Sequence, residues 1–140
     1  MNVKIADLMV EKVVTVQPHR TIDRVRGLME RNQVHAIPVV DSEGQPVGVV
    51  SSADLVPVLK GGTPVSKVMS EKVYQVSQYD DVHIAARVMR NHGIHHVLVT
   101  HEQKLVGILS SFDLLKLVEE HRFVMKGAPT ASKRKGTKRM

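Results

Sequence analysis

No cysteine occurs among the 140 residues. Disulfides, thiolate metal sites and cysteine nucleophiles are thereby excluded, and the composition is compatible with a reducing compartment. Aromatic residues are nearly missing too: two Phe, two Tyr and no Trp. The core must therefore be built from Val, Leu, Ile, Met and Ala. No apolar run approaches the roughly 18–20 residues of a membrane span. The opening stretch is not read as a signal peptide, because Asp7 and Glu11 interrupt it, and a cytoplasmic protein is expected. Acid is lacking from one region only. Residues 1–120 carry 13 Lys+Arg and all 14 Asp+Glu, a net of −1, whereas residues 121–140 carry seven basic residues and no acid, a net of +7. The folded part is expected to be near neutral, and the basic character belongs to a tail.

What the chain does have, it has twice. Ile5-Ala-Asp-Leu-Met9-Val-Glu11-Lys12-Val13 lies over Val65-Ser-Lys-Val-Met69-Ser-Glu71-Lys72-Val73, sixty residues on. Met29 matches Met89, His35 matches His95 and Val39 matches Val99 at the same offset. Gly48-Val-Val-Ser51-Ser-Ala-Asp54-Leu55 then lies over Gly107-Ile-Leu-Ser110-Ser-Phe-Asp113-Leu114. Half of the chain is too short to bury an adequate core alone, so two copies are expected to pack together around a pseudo-symmetric cleft.

The periodicities give each copy the order β-α-β-β-α. In the first, the β-branched run Val13–Val16 predicts a strand. Thr21 predicts the N-cap of a helix presenting Ile22, Val25, Leu28 and Met29. Ala36–Val40 and Pro46–Val50 predict strands around the turn Asp41–Gly44. Ser52–Lys60 predicts a second helix, distorted or shortened by Pro57. In the second copy, strands are predicted at Val73–Val76, His96–Thr100 and Lys104–Leu109. A helix capped by Asp81 carries Val82, Ala85, Val88 and Met89, and another begins near Ser111 and runs to about His121. The domain reading is a first repeat at 3–60, a linker at 61–64, a second repeat at 65–121 and a disordered basic tail at 122–140. The fold class is α/β, with two small sheets flanked by helices and related by a pseudo-two-fold axis.

The Asp-Leu-Met opening turn, the Val-x-Val strand before a capped helix, His35-Ala-Ile-Pro-Val-Val-Asp41 and Gly48-Val-Val-Ser-Ser-Ala-Asp-Leu55 resemble a cystathionine-β-synthase (CBS) domain. The duplicated order resembles a stand-alone tandem CBS pair over about residues 3–120. The resemblance implies a regulatory, non-enzymatic module that binds AMP, ADP, ATP, S-adenosylmethionine or NAD(H) between the repeats. It also implies a homodimer and a separate protein effector. No required cofactor is implied.

By the same resemblance, Ser51 and Asp54, and Ser110 and Asp113, meet ribose and phosphate. A carboxylate can take two hydroxyl donors at once. The residues themselves allow another reading, since Ser-x-x-Asp before an apolar helix is also a capping box. The segments holding His35 and His95-His96 are implied to line the opposing repeat's site. The site joining Ser51 and Asp54 to His95 and His96 is then better equipped for charged phosphate than the one joining Ser110 and Asp113 to His35. The adenine slot is implied at Val16, Gln17 and Pro18, at Val76, Ser77 and Tyr79, and beside Ile37 and Val97. Tyr79 is either a stacking ring or a surface plug. His92-x-x-His95-His96 lacks the cysteine or carboxylate company of a typical zinc site, and no metal is expected.

No P-loop, nucleophile elbow or paired catalytic acids are present, so no enzyme is expected. The alternative reading is a dimeric scaffold whose basic tails bind nucleic acid or an acidic partner. Dimer contacts are expected through helices 22–31 and 82–91 or through 52–60 and 111–121.

Overall fold

The structure, a computed structural model, describes residues 3–120. The basic tail, with its expected disorder and nucleic-acid role, lies outside the described residues. In chain order the elements are α1 (Ile5–Leu8), α2 (Ile22–Asn32), β1 (Ala36–Val40), β2 (Pro46–Ser51), α3 (Ser52–Leu55), a 3-10 turn (Val65–Lys67), β3 (Gln75–Ser77), α4 (Val82–His92), β4 (His96–His101), β5 (Lys104–Ser110) and α5 (Ser111–Glu119). β1 and β2 pair antiparallel, while β4 lies between a parallel β3 and an antiparallel β5. The expected α/β architecture with two small sheets is present.

Each sheet carries its own core, and the two repeats exchange their opening turns. Ile5 and Leu8 of α1 bury against Val76, Ala85, Met89, Val97, Val99 and Leu109 of the second repeat. Val65 buries against Val16, Ile22, Val25, Ile37, Val39 and Val50 of the first. Backbone bonds fix the exchange: Ile5 N–H donates to Asp80 O at 2.9 Å, and Val65 N–H donates to Arg20 O at 2.8 Å. Two matched glycines make room for it. A β-carbon on Gly48 would stand 2.5 Å from Met69 Sδ, and one on Gly107 would stand 2.6 Å from Met9 Sδ. A side chain at either position would overpack the seam, a change that typically costs about 1–3 kcal/mol. The halves seen along the sequence are therefore not separate units of packing.

Several elements differ from expectation. The helix expected over Ser52–Lys60 stops at Leu55, because Pro57 can neither donate a backbone hydrogen bond nor clear the carbonyl four residues back. The early stop frees carbonyls, and Arg26 Nη2 takes two of them, Leu55 O at 2.9 Å and Val58 O at 2.8 Å. The strand expected at Val13–Val16 shrinks to a single parallel bridge, Val16 to Val39, and its counterpart lies at Gln75–Ser77 rather than Val73–Val76. Asp81 does stand at the N-cap of α4, but its carboxylate makes no capping bond. It accepts instead from Lys4 Nζ at 2.7 Å, and that bond holds its pKa below the usual carboxylate value.

Candidate functional site

Both Ser-x-x-Asp motifs are capping boxes. Ser51 N–H donates to Asp54 Oδ2 at 2.8 Å, and Asp54 N–H returns to Ser51 Oγ at 3.3 Å. Ser110 and Asp113 repeat the arrangement at 2.9 and 3.1 Å. Each box uses one carboxylate oxygen and leaves the other without a protein donor among the described residues. The cap thus holds each carboxylate in one orientation through a single oxygen.

Each motif is tied to its repeat's histidine segment. Ser52 N–H donates to His35 O and Ser111 N–H to His95 O, both at 2.8 Å. Ala36 lies opposite Ser51 across β1–β2, and His96 opposite Ser110 across β4–β5. The strand starts and helix starts therefore form one wall around two clefts.

The first cleft has a volume of about 670 Å³. Ser51, Ser52 and Asp54 form one side, with His92, His95 and His96 opposite, and Ser70, Lys72 and Tyr74 complete it. The second, of about 610 Å³, brings Ser110, Ser111 and Asp113 together with His35, Lys12, Val13 and Val14. The Ser-x-x-Asp residues and the histidines singled out from the sequence line these two clefts. His35, Ala36, His95 and His96 line both, so the histidine wall is shared.

The residues expected to form an adenine slot line neither cleft. Val16, Val76, Ile37 and Val97 are core residues. Gln17 faces a separate hollow. Ser77 is occupied locally, its hydroxyl accepting from Tyr79 N–H at 3.1 Å, and Tyr79 rests edge-on against His101. Pro18 lies in the turn that receives Ser66 N–H. Antiparallel bridges fix Val10 on Ile108 and Ser70 on Val49, and beyond them the chain runs along the cleft before joining its sheet.

Sequence reasoning missed four side chains there. Lys12 and Lys72 hold matched positions in the repeat, so their duplication was a visible signal. Tyr74 and His92 stack with ring centroids 4.2 Å apart. Their counterparts in the first repeat are Val14 and Asn32, so this aromatic pair belongs to the first cleft only. His96 has its pKa pushed below the usual histidine value, first by burial and then by His95, while Asp113 opposes the shift and His35 adds to it. Burial thus favours the neutral form of His96. Among the described residues no three His, Asp or Glu side chains are placed to hold a metal ion, and no helix is long and apolar enough to cross a membrane.

Comparison with known proteins identifies the fold. The chain is 32% identical over 117 residues to the CBS domain-containing protein YhcV of Bacillus subtilis, covering 79% of this chain and 81% of YhcV. It spans only 32% of the uncharacterized protein MJ1404 of Methanocaldococcus jannaschii, to which it is 28% identical over 137 residues, 85% of this chain. The CBS domain pair of protein MJ0100, solved with 5-methylthioadenosine and S-adenosyl-L-methionine, superimposes with a TM-score of 0.80 at 21% identity, covering 86% of this chain and 99% of that one. The cytosolic domain of the Mg2+ channel MgtE, solved with ATP, gives a TM-score of 0.74 at 29% identity, covering 81% of this chain and 48% of that one. The CBS domain pattern matches residues 5–61 and again 65–120, and the chain belongs to the CBS-domain family as a tandem pair.

Proposed function

We propose that this chain is a regulatory module that binds an adenosine phosphate in the first cleft and passes the bound state to a separate protein effector. The observation that carries the reading is the convergence of Asp54, with a free carboxylate oxygen, on Lys72, His95 and His96 across one cavity. The carboxylate suits ribose hydroxyls, and the Lys72 ammonium and the imidazole N–H groups suit phosphate. Tyr74 and His92 offer a flat apolar surface beside them, and about 670 Å³ lies within the range of small-molecule sites. The likeness to an ATP-bound MgtE domain supports the ligand class. The second cleft has no aromatic pair, with Val14 in the place of Tyr74, and suits a less charged adenosyl ligand.

Isothermal titration with AMP, ATP, S-adenosylmethionine and NADH tests the reading. Micromolar binding of a phosphate-bearing adenosine is expected, and absence of heat with all four compounds would overturn it.

A homodimer belongs to the same reading. Val56, Leu59, Phe112, Leu115 and Val118 are exposed apolar residues near the ends of α3 and along α5, a surface that favours burial against a second copy. Sedimentation velocity is expected to show two chains per particle, reduced to one by the paired change Leu115→Glu and Val118→Glu. A wild-type monomer at micromolar concentration would refute this.

A further inference from the structure

Arg20 and Asp80 hold matched positions in the two repeats, so the charge there is reversed. In the second repeat Asp80 Oδ2 accepts Ser77 N–H at 3.1 Å and closes the turn before α4. In the first repeat the donor is Gln17 N–H, and a guanidinium cannot accept it. The Gln17 carbonyl takes Arg20 N–H at 3.1 Å, but Gln17 N–H itself has no protein acceptor among the described residues. Beside it lies a hollow of about 270 Å³ lined by Thr15, Gln17, Arg20, Arg24 and Val40 together with Val16.

No carboxylate lines that hollow. Neither Arg20 nor Arg24 makes a side-chain hydrogen bond or ion pair among the described residues. Arg26, by contrast, is held by Asp23, Leu55 O and Val58 O. The counterpart of Arg24 in the second repeat is Ile84, so both free guanidinium groups are particular to the first. Like charges lining one hollow repel one another, and an anion between them removes that cost. The guanidinium fork matches the oxygens of a phosphate.

We propose that the hollow bounded by Gln17, Arg20 and Arg24 binds a phosphate group, which supplies from outside the acceptor that Asp80 supplies within the second repeat. None of its lining residues lines either cleft, so the proposal stands independently of the adenosine reading. The phosphate is either free or carried by a small phosphomonoester, and the recognition chemistry is the same.

The test is a 15N chemical-shift titration of the full chain with inorganic phosphate and, separately, with glycerol phosphate, against chloride at equal ionic strength. The Gln17 amide and the Arg20 and Arg24 Nε–H signals are expected to move saturably at millimolar phosphate and not with chloride. Tighter binding of glycerol phosphate identifies a phosphomonoester as the ligand, and tighter inorganic phosphate identifies the free ion. Arg20→Asp restores the internal acceptor of the second repeat, so the fold is retained while the saturable response at Gln17 disappears. Arg24→Ala weakens it about tenfold, the loss of one charge-assisted bond. Movement confined to His95 and His96 would report the clefts instead. That result, a linear drift shared with chloride, or an unchanged response in Arg20→Asp, overturns the proposal.

Discussion

Asp54→Ala will weaken ATP binding about tenfold to a hundredfold. The expectation rests on which oxygen does what. Oδ2 accepts Ser51 N–H at 2.8 Å and holds the carboxylate in one orientation, leaving Oδ1 to accept from a ribose hydroxyl. A hydrogen bond to a charged acceptor contributes about 1.5–3 kcal/mol, which corresponds to that loss of affinity. The same substitution removes a helix cap, at a cost of about 1 kcal/mol, so folding must be verified by circular dichroism before titration. Asp54→Asn separates the two roles. Its amide oxygen still serves Ser51 N–H, so stability is kept while the charge-assisted bond is lost, and affinity falls by less than in the alanine variant. Asp113→Ala is the internal control, because Asp113 lines the second cleft and not the first. Unchanged ATP affinity in Asp54→Ala, or an equal loss in Asp113→Ala, would remove the first cleft from the reading.

The parts of this site that were legible in the sequence are those written locally. A Ser-x-x-Asp before an apolar run specifies a capping box whatever the tertiary context, and both boxes form. The histidine segments were legible because the repeat marks them twice. The exchange of opening turns was not, and the reason is physical. Ile5-Ala-Asp-Leu-Met and Val65-Ser-Lys-Val-Met offer nearly the same apolar face, so either turn suits either sheet, and connectivity decides the outcome. The residues expected to form an adenine slot line neither cleft, for a related reason. A β-branched run announces an extended segment but not the residue at which it joins its sheet. In the first repeat that junction is Val16 alone, so Val13 and Val14 face the cleft and Val16 enters the core. The Tyr74–His92 stack joins residues from two elements and left no periodic signal. Pro57 did announce a disturbance, but four residues of α3 against nine of α5 is a larger asymmetry than one proline in a helical pattern conveys.

ATP affinity is expected to rise as pH falls from about 8 to about 6, by up to about tenfold per unit for each proton taken up. In the free protein burial is the main cause lowering the pKa of His96, and the neighbouring imidazoles His95 and His35 add to it. His96 is therefore neutral at pH 7. A phosphate placed against it favours the charged form and raises its pKa, so binding takes up a proton. By linkage the affinity increases as pH drops through the raised, bound-state value and levels off below the lowered, free-state one. Asp54, Lys72, His35, His92 and His95 line the first cleft with His96. On the far side of the wall, Asp113 and Lys12 line the second cleft. Replacing His95 and His96, and then also His35 and His92, by Gln keeps polar side chains of similar reach and removes the cleft's imidazoles, so the slope between pH 8 and 6 should flatten while the weaker, high-pH affinity persists. A pH-independent affinity in the wild type, or one that falls with falling pH, would separate the histidine wall from phosphate. The reading would then have to rest on Lys72 and the Asp54 carboxylate alone. Because His95 and His96 also line the second cleft, a ligand there would draw on the same protons, and the two occupancies would share one pH dependence.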